Sequence, residues 1–302
     1  MALTEHVAIV SIAPEVPTRD LLLVAAAVQK QVTRDFTPLW GIAATVDAFE
    51  DLASVPTDYR PVILFGDLSN LPGQLAPRIG ERQAQAVVDV LESDDISGIH
   101  LAAITRQPFS LASVSGAWTV TVSHETLEML ADPYGNRLVA AVDPLTRTKR
   151  VNYLLEICDP CLATYYTVNG LPVSDFYTPR YFDPVRIDSV RYSFTGAIEE
   201  PLQILPGGYL SWIDPLDSAL YQLEAGGRPI LLSSEAELAA SRTSLRTVVD
   251  SDPRTPRAGV GPIRQAASAR ASEGANLGVK EASEGNAKRI EDAIITLKGG
   301  LG

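Results

Sequence analysis

Residues 6–13 (HVAIVSIA) form a short apolar, β-branched run, and seven residues separate it from a stretch of helical period, residues 21–36 (LLLVAAAVQKQVTRDF). This pairing constrains the chain most. The first run reads as a buried strand and the second as an amphipathic helix that Thr18 or Asp20 can cap. Residues 40–49 (WGIAATVDAF) and 60–68 (RPVILFGDL) supply two more strands. A strand–helix–strand start needs a crossover connection, hence parallel pairing. A second helix is expected at 80–93. Residues 98–104 (GIHLAAI) and 108–114 (PFSLASV) then form a strand pair joined by the polar link TRQ. So short a link makes that pair antiparallel, at one edge of the sheet. The expected class is α+β: a mixed, mostly parallel sheet with an antiparallel edge strand and packed helices.

The texture changes after Pro133. Residues 136–248 carry turns, aromatics and short strand-like runs, which predict an irregular, β-rich second subdomain after a first one spanning 1–135. From 249 to 302 the chain is poor in bulky apolar residues and rich in Ala, Ser, Gly and Arg. Such a composition cannot offset its chain entropy, so a disordered tail is expected, with a short amphipathic helix at 286–298.

The formal net charge is −12, and residues 1–249 carry −13 of it. Phosphate backbones would be repelled, so nucleic acid is an unexpected partner, while cations are favoured. No run approaches the ~18 apolar residues that span a membrane, and the N-terminus has no secretory pattern, so a cytoplasmic protein is expected. The two cysteines, Cys158 and Cys161, form a single C-x-x-C. Without a second pair it reads as two reduced thiols rather than a structural zinc site.

Residues 118–136 (WTVTVSHETLEMLADPYGN) carry the chemistry. On a helix over 116–131, His124 and Glu128 are i and i+4, on one face and one turn apart, and can grip one metal ion. Glu125 points about 100° away. Pro133 and Gly135 end the helix, whereas the β-branched residues at 119–122 are poor helix formers.

The stretch Thr121-Val122-Ser123-His124-Glu125-Thr126-Leu127-Glu128-Met129-Leu130 resembles the H-E-x-x-H helix of zincin metallopeptidases, with Glu128 in place of the second histidine. The order of elements before it is similar to the upper subdomain of metzincin-type members, whose antiparallel edge strand lies beside the bound peptide. The SHExLExxxDP string also resembles a pattern of bacterial zincin-like proteins. The resemblance covers roughly residues 5–135; the metzincin continuation H-x-x-G-x-x-H is absent. It implies a metal-dependent hydrolase, a peptidase, in which Glu125 takes a proton from a water on the ion and passes it to the leaving amine. Tyr177 or Tyr181 would steady the oxyanion.

A further ligand must come from outside the helix. Glu156 and Asp159, three apart at the end of an apolar run, are the best source, because buried carboxylates need a cation or backbone donors. Asp132 competes from the helix end, although capping the DPYGN turn suits it as well. One nitrogen with several oxygens makes a harder site than a His-rich one. One divalent ion is expected, zinc first, with manganese or calcium as competitors. The alternative is an inactive zincin-like scaffold that binds a protein partner and uses its tail as a tether.

Overall fold

The computed structural model describes residues 4–94, 98–100, 108–241, 243–258 and 263–266. β1 (Glu5–Ser11) runs between β2 (Ala44–Phe49) and β3 (Arg60–Phe65), parallel to both. β4 (Gly98–His100) pairs antiparallel with β5 (Ser110–Ser113), which is itself parallel to β3. The strand order is β2-β1-β3-β5-β4. The architecture is the expected mixed α+β one, and the antiparallel edge strand comes from the first of the two candidate segments. Residues 101–107 lie outside the described residues.

Alternation along these strands separates two cores. Val7, Ile9, Val62 and Leu64 face one side of the sheet, and Ala8, Val10, Ile63 and Phe65 face the other. Strands buried on both faces read as continuous apolar runs, which is why β1 was so legible. The first face is covered by α1 (Thr18–Gln31). That helix continues through a π-turn, Val32–Phe36, into α2 (Thr37–Trp40), which Gly41 ends at φ +70°. Neither Thr18 nor Asp20 caps α1. The chain enters at Pro17, and Asp20 sits in the first turn, where the helix dipole favours an acid.

The second face is covered by α3 (Leu71–Ile79) and α4 (Glu81–Asp94). α4 matches the helix expected at 80–93. α3 was hidden from the periodicity by Pro72, Gly73 and Pro77. Pro72 sits in the first turn, where its missing N–H leaves no helical bond unmade.

The helix expected at 116–131 is α5 (Trp118–Ala131), on the α1 side of the sheet. Every residue from Val120 to Ala131 is buried, because α5 lies between the first sheet and the β-rich half. Such a helix is held by packing rather than propensity, which is how the β-branched start is accommodated. Gly135, at φ +62°, follows Pro133 and turns the chain away. A buried polar ring locks α5 against α1 and β9 (Leu171–Ser174). Ser123 donates to Gln31 Oε1 at 2.7 Å, Gln31 Nε2 to the Ser174 carbonyl at 2.9 Å, and Ser174 N–H to Ser123 Oγ at 3.0 Å.

The β-rich half contains a five-stranded antiparallel sheet ordered β12-β11-β10-β7-β6. Its strands are β6 (Leu138–Val142), β7 (Arg150–Leu154), β10 (Tyr209–Asp214), β11 (Ala219–Glu224) and β12 (Ile230–Ser233). A smaller sheet joins β9, β8 (Thr164–Val168) and β13 (Arg264–Gln265). One apolar cluster runs from Ile9 through Leu127 to Tyr153 and Trp212, so both halves share a core.

α6 (Glu235–Ala240) and α7 (Leu245–Asp250) complete the described helices. The boundary expected at 249 is too early. Val249 is fully buried, and it packs with Ala258 against Leu154, Leu162, Tyr209 and Leu220. Two small apolar residues sufficed here, which a search for bulky ones overlooks. The rest of the expected tail, 267–302 with its helix at 286–298, lies outside the described residues. Among the described residues, no helix is long and apolar enough to cross a membrane.

The polar ring gives a direct test of how α5 is seated. Ser123→Ala leaves Gln31 Oε1 and the Ser174 N–H without a partner in a buried setting. The expected loss is about 1–3 kcal/mol of stability, read from a chemical denaturation midpoint. An unchanged midpoint would mean that the ring does not hold the helix.

Candidate metal centre

α5 projects His124 and Glu128 towards the chain that leaves β7. After Leu154 this chain departs from strand geometry and closes a 3-10 turn at Asp159–Cys161, which brings Asp159 and Cys158 over α5. His124 Nε2 lies 3.3 Å from Glu128 Oε2 and 3.3 Å from Asp159 Oδ1. The Asp159 oxygen has no other hydrogen-bond partner, whereas Glu128 Oε2 is also held by Arg246. The other oxygen of Glu128 accepts the Cys158 N–H at 3.0 Å, and Cys158 Sγ lies 4.0 Å from the His124 carbonyl. His124, Glu128 and Cys158 each offer a ligand atom within 4.8 Å of the others.

The whole cluster is buried. His124, Glu125, Glu128, Glu156, Asp159 and Arg246 are each 3% exposed or less. Both oxygens of Glu156 and both of Asp159 have no hydrogen bond, and the same holds for His124 Nδ1. Five carboxylates, those of Glu125, Glu128, Glu156, Asp159 and Asp250, share one arginine. Arg246 makes its closest contact with Glu128 Oε2, and it lies 3.4 Å from Glu125 and 3.5 Å from Asp250.

Burial pushes the Glu125 carboxyl up to about 8, against the pull of Arg246 and His124. Burial acts on Glu128 in the same direction, but Arg246 and His124 outweigh it and hold that carboxylate at about 2. Glu156 is driven well above its ordinary range by burial, then by Asp159 and Glu128. Burial also raises Asp159, and Glu128 adds to it. His124 responds the other way. Burial would lower it, yet Glu128 and Asp159 together hold it well above its ordinary value. Burial, with Glu128 and Asp159, keeps the Cys158 thiol far above its usual range. A thiol so disfavoured as thiolate is unsuited to redox exchange.

Of the residues nominated from sequence, His124, Glu128 and Asp159 converge directly. Glu156 lies in the same buried charge cluster. Tyr177 is fully buried, its hydroxyl has no hydrogen bond, and it feels Glu128, Glu156 and Asp159. Tyr181 is committed elsewhere, because its hydroxyl donates to the Gln203 carbonyl at 2.9 Å. Asp132 caps the turn, accepting the Arg137 N–H at 2.7 Å. Two participants escaped the sequence reading. Cys158 was set aside as half of an isolated C-x-x-C. Arg246 fell just before the expected tail, although its spacing to Asp250 (i, i+4) and the Ser244 cap, which accepts the Thr247 N–H, were readable signs.

The residues fit a cation. Ligands about 2.0–2.1 Å from one tetrahedral ion stand about 3.3 Å apart, the spacing of His124 from each carboxylate. Buried carboxylates without donors take up protons or accept a cation beyond the charge that Arg246 supplies. The buried His124–Glu128–Cys158 group could hold a metal ion.

The shifted carboxyls fix the pH response of the metal-free protein. Between the ordinary value of 4.5 and the folded value of about 8, the folded chain keeps a Glu125 proton that the unfolded chain has released. Stability therefore falls as pH rises through that window. Glu156, also raised, adds in the same direction. A denaturation midpoint measured in chelator is expected to be lower at pH 8 than at pH 5; the opposite order would contradict this electrostatic account.

Comparison with protein-family models, with curated proteins and with solved structures found no match.

Proposed function

We propose that the protein is a metal-dependent hydrolase of zincin-like type that acts on peptide. The observation that supports this most is the convergence of His124 Nε2 with Glu128 Oε2 and Asp159 Oδ1, 3.3 Å each, in a buried site where both Asp159 oxygens lack hydrogen bonds. The placement of β4 adds to it. An antiparallel edge strand precedes the site helix in the order that the zincin resemblance implies, suited to pairing with an extended substrate.

In this reading His124, Glu128 and Asp159 hold the ion, with Glu156 and Cys158 as the adjacent donors. Bound there, the ion would supply Lewis acidity and lower the pKa of water. Oxygen ligands leave room for manganese or calcium, whereas a Cys158 thiolate would tilt the choice to zinc. Glu125 removes the proton of the attacking water and returns it to the leaving amine. A divalent charge nearby would draw its carboxyl down from about 8 towards neutrality, where a general base works best. Tyr177, with a free buried hydroxyl, is the better placed of the two tyrosines to donate to an oxyanion.

A second reading has its own observation. The cluster is closed to solvent and its arginine is already paired, as in a structural ion network. On that view the chain is an inactive scaffold that binds a protein partner.

Metal stoichiometry and kinetics separate the two. Protein purified without chelator is expected to carry about one transition metal per chain. Glu125→Gln should keep that metal and lower peptide hydrolysis by about 10²–10⁴-fold, the usual contribution of a general base. His124→Ala should lose the metal. Absence of stoichiometric metal from the wild-type chain would remove the hydrolase reading and leave the scaffold.

A further inference from the structure

Glu128 Oε2 has two claimants. It faces His124 Nε2 at 3.3 Å, as a ligand atom would, and it also makes the closest contact of Arg246. The guanidinium thus occupies the oxygen that a metal ion needs.

Arg246 belongs to a segment that closes over the site and holds its own shape. Ser244 caps α7, Ser251 Oγ bonds to the Thr247 carbonyl, and Arg257 donates to the carbonyls of Asp250 at 2.6 Å and Asp252 at 3.0 Å. It is held to the rest of the molecule by the buried Val249 and Ala258, by Arg254, which donates to the Leu231 carbonyl at 3.2 Å, and by a few hydrogen bonds at its two ends. Arg246 N–H donates to the Gly135 carbonyl at 3.0 Å, and Leu245 N–H to Asn136 Oδ1 at 2.9 Å. Further along, Thr255 accepts from Gln222 at 3.0 Å and the Ala258 carbonyl accepts from Thr121 at 3.4 Å. A cavity of about 500 Å³ is lined by residues 253–257 together with Leu162, Ala163, Pro206 and Gly207.

Gly135 makes the close approach possible. A Cβ there would lie 2.8 Å from Ser244 Oγ and 2.9 Å from Arg246 Cβ, at a φ of +62° that strains any other residue. The turn that ends the site helix is thus shaped to seat this segment.

We propose that residues 244–258 form a strap that keeps the centre closed, with Arg246 occupying its carboxylates until a divalent ion displaces it. The proposal rests on the metal-site reading and adds regulation to it. Loading then requires two events: the strap loosens at the 135–136 turn, and the guanidinium leaves Glu128 Oε2. In the closed state neither ion nor substrate reaches His124, because His124, Glu128, Glu156, Asp159 and Arg246 are each 3% exposed or less.

The test uses full-length, metal-free protein mixed rapidly with Co²⁺, following the visible absorption of the bound ion. Asn136→Ala removes one anchor of the strap and touches no cluster residue. It is expected to take up Co²⁺ about fivefold faster than wild type, the factor that one lost hydrogen bond gives, with the same final spectrum. Gly135→Ala, which pushes Ser244 and Arg246 away, should load faster still, and Arg246→Ala should load fastest with affinity at least as high as wild type. Wild-type rates in both turn variants would overturn the strap. A loss of Co²⁺ affinity in Arg246→Ala would also overturn it, making Arg246 a residue that positions Glu128. If none of the four proteins gives a bound-Co²⁺ spectrum, the metal-site reading itself fails, and the strap with it.

Discussion

Unbalanced negative charge in the buried interior is the constraint on which the rest depends. Five carboxylates are drawn together by α5, the 156–159 turn and α7, and one guanidinium answers them. Isolated buried carboxylates are costly, so they either take up protons or find a cation. Both responses are visible. Glu125, Glu156 and Asp159 are pushed towards their neutral forms, while Glu128 stays ionised because Arg246 and His124 flank it. Burying ions carries a desolvation penalty of several kcal/mol per ion, which the pairing with Arg246 offsets only in part.

The fold places that charge with rigid parts. The first sheet and α1 clamp one side of α5, the shared core of the β-rich half clamps the other, and the Ser123–Gln31–Ser174 ring fixes its rotation. His124 and Glu128 leave a helix that cannot turn. Asp159 leaves a 3-10 turn whose preceding residue, Cys158, is tied by its N–H to Glu128. Side chains on interlocked elements keep a fixed geometry, which a group that could hold a metal ion requires.

Much of this was readable from residue order. The β1–α1–β2–β3 start and the antiparallel edge follow from apolar runs and the length of their links. His124 and Glu128 follow from the i, i+4 spacing, and Glu156 and Asp159 from the oddity of acids at the end of an apolar run. What escaped depends on contacts distant in sequence. Arg246 reaches Glu125 and Glu128 across more than a hundred residues, and its local i, i+4 spacing to Asp250 points to a surface pair rather than to α5. Cys158 enters through a turn that breaks the strand alternation used to orient Glu156. The packing of 249–258 rests on Val249 and Ala258, residues too small to weigh in composition. α3 was concealed by Pro72, which the first turn tolerates, and by Pro77 inside the helix.

X-ray absorption at the metal edge of zinc-loaded protein addresses the central claim most directly, because it reports the atoms around the ion irrespective of catalysis. The account predicts light-atom ligands at about 2.0–2.1 Å with the outer scattering of one imidazole, and a sulfur at about 2.3 Å if Cys158 joins them. The imidazole signal should disappear in His124→Ala. An ion surrounded by water alone, with a spectrum that the His124 substitution leaves unchanged, would contradict a metal centre at this site.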